Sequence, residues 1–186
     1  MAGVGREERS WIRAAQAGSV ADLEQLFRAH WSRAYRAAYL VVHDHAAAED
    51  IAQEAFLAAV RSLDRFDHDR PFAPWLHRIV VNRAIDWARG RIARREVLGE
   101  SFLDLTDPLA WTAEQPYAGS EAKAMAAGLA ALPPEQRAVI VLRYLLEYTP
   151  GEIAELLDLP RGTVNSRLRR GLDALQAYHG GTERQG

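Results

Sequence analysis

The segment 149–176, TPGEIAELLDLPRGTVNSRLRRGLDALQ, constrains the fold more than any other part of the chain. Ile153, Leu156 and Leu157 form one apolar stripe, and Val164, Leu168, Leu172 and Leu175 form a second, both at helical spacing. Between them Leu159 fills a turn, and Pro160 suits the first position of the next helix, where a missing N–H costs nothing. Ala154 is small, as required where two helices nearly touch. The pattern predicts two short helices joined by a tight turn. Asn165, Ser166, Arg169 and Arg170 are left on the outer face of the second helix, with no acidic residue across 161–170. Arg grips guanine in two places and Asn does the same for adenine, so such a face can read base edges in a major groove. The plain competitor is a surface helical hairpin with a solvated basic face. Turn chemistry, the small residue and the segregation of charge together favour the helix-turn-helix.

Net charge is −2 over 186 residues, which at first sight argues against a nucleic-acid partner. Its distribution removes the objection. Residues 77–95 carry six Arg against one Asp, 161–170 carry four Arg and no acid, and 96–121 carry six acids and no cation. Two basic surfaces therefore flank an acidic connector. Non-specific phosphate attraction would call for a basic protein overall. Local binding, assisted by a partner, fits better. Cys is absent, which excludes disulfides, thiolate metal sites and a Cys nucleophile. The opening residues MAGVGREERSW hold early charges and no apolar run, so no secretory signal is expected. No stretch approaches the roughly 20 apolar residues that span a bilayer.

Period-two alternation is missing throughout, and the chain reads as all-α: two small helical domains joined by an acidic linker, the C-terminal one a helix-turn-helix. Helices are predicted near 6–17, 20–42, 46–63 and 73–95, then near 120–130, 134–147, 150–157 and 160–177. This divides the chain into an N-terminal extension (1–19), a first domain (20–95), a linker (96–119) with Gly99, Pro108, Pro116 and Gly119, a second domain (120–178) and a frayed tail (179–186).

In the first domain, Ala52, Phe56, Ala59 and Leu63 line the buried face of one helix. Asp50, Gln53, Glu54, Leu57 and Arg61 share another face, where carboxylates around an exposed Leu suit docking to a protein; a merely solvated face is the alternative. Leu76, Val80, Ala84 and Trp87 face the core from the next long helix, leaving Arg78, Asn82 and Arg89 on a polar stripe beside Ile79. The preceding loop, DRFDHDRPFAP, brings Phe66 near that stripe. A ring and an amide together can hold an unstacked base. Phe66 as a simple core residue is the other reading.

These segments together resemble the extracytoplasmic-function group of bacterial sigma factors. AAEDIAQEAF (47–56), FAPWLHRIVVNRAID (72–86), LPPEQRAVIVLRY (132–144) and PRGTVNSRL (160–168) stand in the order of that group's motifs, and the resemblance covers about residues 20–178. It implies a non-catalytic initiation factor of the cytoplasm, without cofactor or metal, that binds core RNA polymerase (β′ clamp and β flap) and promoter DNA. The first domain would be sigma region 2, with Asp50, Gln53, Glu54 and Leu57 on the polymerase. Ser62, Phe66, Ile79 and Asn82 would form the pocket for a flipped minus-ten base, and Arg78, Arg83 and Arg89 would hold the displaced strand. The second domain would be region 4, presenting Arg161, Thr163, Asn165, Ser166, Arg167, Arg169 and Arg170 to the minus-thirty-five element. The acidic linker would thread a basic polymerase channel, and a separate anti-sigma factor would exert control. Asn165 departs from the group, where a basic residue is common, and Gly171 interrupts the recognition helix at about 1 kcal/mol relative to Ala; close packing is one reason such a residue is kept.

Two other classes compete. A helix-turn-helix regulator acting without core polymerase explains 120–178 equally well but not the first half. A metal-dependent hydrolase would use His43-Asp44-His45 and His68-Asp69, but HDH falls at an inter-helix turn, where exposed polar residues are expected.

Overall fold

The computed structural model describes residues 5–98 and 120–182. The described residues contain helices and no strand. The first module is built from α1 (Arg6–Gln16), α2 (Val20–Val42), α3 (His45–Ser62) and α4 (Phe72–Leu98). The second is built from α5 (Ser120–Ala130), α6 (Pro134–Ile140), α7 (Pro150–Leu157) and α8 (Arg161–Thr182). Most of the expected linker, residues 99–119, lies outside the described residues.

Local chemistry sets the helix ends. The Ser19 hydroxyl caps α2 by accepting the Asp22 N–H, and Asp44 caps α3 by accepting the Ala47 N–H at 3.0 Å. Thr149 and Glu152 form a reciprocal capping box at the start of α7. Asp158 then takes a left-handed conformation (φ 54°) and its N–H closes α7 on the Ala154 carbonyl, giving the tight turn into α8.

Several details depart from the sequence reading. Pro160 sits one position outside α8, where its carbonyl accepts the Thr163 and Val164 amides. The expected helix 134–147 is interrupted: after α6 the chain widens into a π turn over Val141–Leu145, and Glu147 takes φ 63°. This wide turn delivers Tyr148 toward α4. The expected frayed tail is helical through Thr182. Leu175 and Tyr178 pack against α5 beside Gly128, so the backbone ladder continues past them. His43 of the HDH turn is buried rather than exposed, because it closes α2 in a left-handed conformation with its ring turned inward.

The interiors follow the predicted stripes. Leu76, Val80 and Ala84 are fully buried, and so are Ala52 and Ala59 of α3. Trp87 is only half-buried, with the Arg91 guanidinium 5.1 Å from its ring centroid. Gly171 is buried, and a Cβ there would come within 2.7 Å of Ile140 Cδ1. Close packing of α8 on α6 is therefore the reason for a glycine that intrinsic propensity disfavours.

The two modules also pack on one another. Arg137 of α6 is buried; one guanidinium nitrogen donates to the Val41 carbonyl at the end of α2, and the other to Ala130 and Leu132 at 2.9 and 2.8 Å. It thus satisfies orphan carbonyls of both modules at once. Desolvation, then the Arg91 charge, lowers its pKa to about 10, so it stays cationic at neutral pH. Tyr148 is hydrogen-bonded to His77 Nδ1 at 2.8 Å, and Arg89 of α4 pairs with Glu135 of α6.

Candidate nucleic-acid interface

The α8 face is assembled by its own buried stripe. Val164, Leu168 and Leu175 anchor the helix, so Arg161, Asn165, Arg169 and Arg170 stand exposed, with Thr163, Ser166 and Arg167 half-buried at the edges. Arg170 folds back along the helix, donating to the Ser166 hydroxyl at 3.0 Å and its carbonyl at 3.2 Å. Arg161, Arg167 and Arg169 make no ion pair with a carboxylate among the described residues. The structure thus gathers all seven predicted residues on the first turns of one helix, the part of such a helix that reaches base edges.

The second surface lies on the first module. A cleft of about 650 Å³ is lined by Ser62, Phe66, Trp75 and Arg78, with Asp67, Asp69 and Arg70 of the loop. Phe66 stacks on Trp75 at 4.5 Å between ring centroids and meets Phe72 edge-on. It is half-buried: one face packs on the neighbouring rings and the rest borders the cleft. Gln16 fixes the loop's entry, its amide donating to the Leu63 and Phe66 carbonyls at 2.9 and 2.7 Å. Ile79 and Asn82 do not line this cleft; Ile79 packs against the core, and Asn82 is exposed further along α4. Arg83 and Arg89 are engaged, with Glu54 and Glu135 respectively.

The opposite wall comes from the other module: Tyr148 and, on α7, Glu152, Glu155 and Leu156. No local pattern signals this wall, which joins residues 70 or more positions apart. Trp75 was visible in the FAPWL motif but stood there as part of a pattern, not as a stacking partner. The contribution of Gln16 had no sequence signal.

On α3, Asp50, Gln53, Glu54 and Leu57 are all exposed, Leu57 at 54%. Gln53 bonds Glu49, and Glu54 bonds Arg83. The histidines of the HDH turn do not converge: His45 Nδ1 bonds the Tyr35 hydroxyl at 2.6 Å, while both ring nitrogens of His43 are buried without a hydrogen-bond partner. Burial, then Arg137 and Arg91, lowers the His43 pKa to about 3. Among the described residues no three His, Cys, Asp or Glu side chains come together as metal ligands, and no helix is long and apolar enough to cross a membrane.

An all-helical pair of modules, one presenting a helix-turn-helix and the other an aromatic cleft beside an arginine-bearing helix, defines a DNA-binding transcription factor. Residues 26–95 match Sigma-70 region 2, and residues 123–175 match Sigma-70, region 4. The chain is 33% identical to the ECF RNA polymerase sigma factor SigW of Bacillus subtilis, covering 84% of this chain and 86% of SigW. It is 35% identical to SigM of Mycobacterium tuberculosis, covering 89% and 83%. In structure it resembles CnrH, solved in complex with the cytosolic domain of CnrY, with a TM-score of 0.68, 29% identity and coverage of 94% and 98%. The chain belongs to the extracytoplasmic-function (ECF) sigma factors, and it acts in transcription initiation.

Proposed function

We propose that the protein binds core RNA polymerase through the exposed α3 face of Asp50, Gln53, Glu54 and Leu57 and directs it to promoters through two separate DNA contacts. The α8 residues from Arg161 to Arg170 read the minus-thirty-five duplex. The cleft of Ser62 and Phe66, with Ile79 and Asn82 further along α4, receives an unstacked base of the minus-ten element. Arg78, Arg83 and Arg89 steady the displaced strand. The observation that carries this reading is the pairing of an exposed recognition helix with an aromatic cleft on a second module, each beside its own cluster of arginines. The role is binding rather than catalysis, and its place is the cytoplasm, where polymerase and promoter are found.

Access to the cleft is a condition of this reading. α7 walls the cleft with Glu152 and Glu155, whose charge opposes a phosphate backbone, so α7 must move aside before a strand can enter. Arg83 and Arg89 must exchange their carboxylates for phosphates in the same step. An anti-sigma factor that holds the modules together would keep the protein idle, in keeping with the capture of CnrH with a second protein.

Run-off transcription with core polymerase on randomised promoters tests the reading. Core-dependent initiation from a defined promoter class is expected. Tight, specific duplex binding by the chain alone, with no holoenzyme formed, would establish the core-independent regulator instead.

A further inference from the structure

Helix α1 lies before residue 26, where the region 2 match begins. It is nevertheless firmly part of the first module. Ile12 is fully buried, Glu8 pairs with His30 of α2 at 2.8 Å, and Gln16 clips the loop that carries Phe66. Its outer face carries Arg6, Arg9 and Arg13, all exposed, at the i, i+3, i+7 spacing of one helical stripe. With Ser10 they line an open depression of about 470 Å³. None of the three makes an ion pair with a carboxylate among the described residues. The two acids of the helix stand elsewhere: Glu8 is turned to His30, and Glu7 falls on the far flank.

We propose that Arg6, Arg9 and Arg13 form a phosphate track for single-stranded DNA that continues from the base-holding cleft. The inference rests on the cleft reading above and adds a site to it. Continuity is its main support. Gln16 lies on the flank next to Arg9 and Arg13, and its amide is 2.7 Å from the Phe66 carbonyl at the rim of the cleft. From Gln16 to Arg6 the helix rises roughly 15 Å, at about 1.5 Å per residue. A strand leaving the cleft on this side would therefore meet one guanidinium after another over a few nucleotides. Guanidinium suits the task, since it forks onto phosphate oxygens, and the adjacent Ser10 hydroxyl adds a neutral donor. Nothing on this face is aromatic, so it would hold the backbone without selecting bases.

The test uses holoenzyme and two fork-junction DNAs. In one the single-stranded non-template strand ends at the flipped base; in the other it runs several nucleotides further. For wild type, the longer strand is expected to bind more tightly. In the Arg6→Ala/Arg9→Ala/Arg13→Ala protein that gain should disappear, with roughly tenfold or greater loss on the long fork and little change on the short one. The slope of log affinity against log salt on the long fork should fall by about 2, since each single-strand phosphate contact contributes about 0.7. The triple Arg→Lys protein should keep most of the slope. Gln16→Ala should weaken both forks alike, because it loosens the cleft rather than the track. An unchanged slope in the Ala protein would overturn the proposal. Loss of core assembly in that protein would overturn it too, and would assign the stripe to a polymerase surface. If wild type binds neither fork, the cleft reading itself fails, an outcome distinct from failure of the track.

Discussion

The two surfaces proposed to meet DNA are prepared in opposite ways. On α8, Arg161, Arg169 and Arg170 stand in the open, Arg167 lies half-buried at the edge, and Arg170 only folds back on its own helix at Ser166. On α4, Arg83 and Arg89 are already held by Glu54 and Glu135, and the neighbouring cleft is walled by α7. On the proposed reading, the duplex-reading surface is complete as folded, whereas the strand-holding surface has to be uncovered. The difference follows from what each must bind. A groove reader meets its ligand preformed, but a base pocket meets its ligand only after the duplex is opened. Pairing two cations with carboxylates in the meantime is cheap, since exposed ion pairs contribute little, about 0–1 kcal/mol.

The largest expected effect comes from the residue that ties the surfaces together. Arg137→Ala leaves buried carbonyls of Val41, Ala130 and Leu132 without their donor. It should cost about 3 kcal/mol of stability in denaturant unfolding. A loss below about 0.5 kcal/mol would mean that the modules do not depend on this junction.

Acid should loosen the same junction. Burial lowers the pKa of both His43 and His77 to about 3, with Arg137 and Arg91 adding to the effect on His43, and His30 and Arg33 on His77. Between pH 3 and 6.5 the unfolded chain holds the more protons. This contribution is therefore complete above pH 6.5 and lost as pH falls below it, by up to about 1.4 kcal/mol per unit for each ring. Stability at pH 5.5 should lie about 3 kcal/mol below that at pH 7.5. His77→Gln should flatten the profile; an unaltered profile would show that this ring does not report on the interface.

Asn82→Ala and Arg169→Ala separate the surfaces directly. Each should cost roughly tenfold, about 1.4 kcal/mol: the first in opening the minus-ten region with core binding spared, the second in minus-thirty-five affinity on duplex DNA. Permanganate footprinting and duplex binding distinguish them, and a shared defect would dissolve the division of labour. The smallest effect concerns the base of α8. Gly171→Ala should destabilise by about 1 kcal/mol through its clash with Ile140, and Ile140→Val in the same chain, which removes the clashing methyl, should restore most of the loss. Strict additivity of the two changes would rule out that contact.

Much of the interface was legible because it rests on local rules. Helical period assigns Asn165, Ser166, Arg169 and Arg170 to the outer face of α8, the resemblance adds Arg161, Thr163 and Arg167, and the Thr149–Glu152 box lies within a single turn. The cleft was legible only in part. Phe66 and Arg78 reach it, but Ile79 and Asn82 do not line it, since the loop's fold, fixed by Gln16 and Trp75, decides where the cavity opens. Trp87 shows the same limit: period puts it inward, and only packing decided that it would stay half-buried with the Arg91 guanidinium over its ring.

From the sequence alone came the all-helical class, the two modules, the two clusters of arginine and the recognition helix, because capping, period and charge segregation act over a few residues. Tertiary structure alone decided that Arg137 would bridge the ends of α2 and α5, that a π turn would carry Tyr148 to His77, and that α7 would wall the cleft. The His77–Tyr148 and Arg137–Val41 contacts join residues 71 and 96 positions apart, and a distance of that kind is set by the packing of whole helices, on which no local pattern reports.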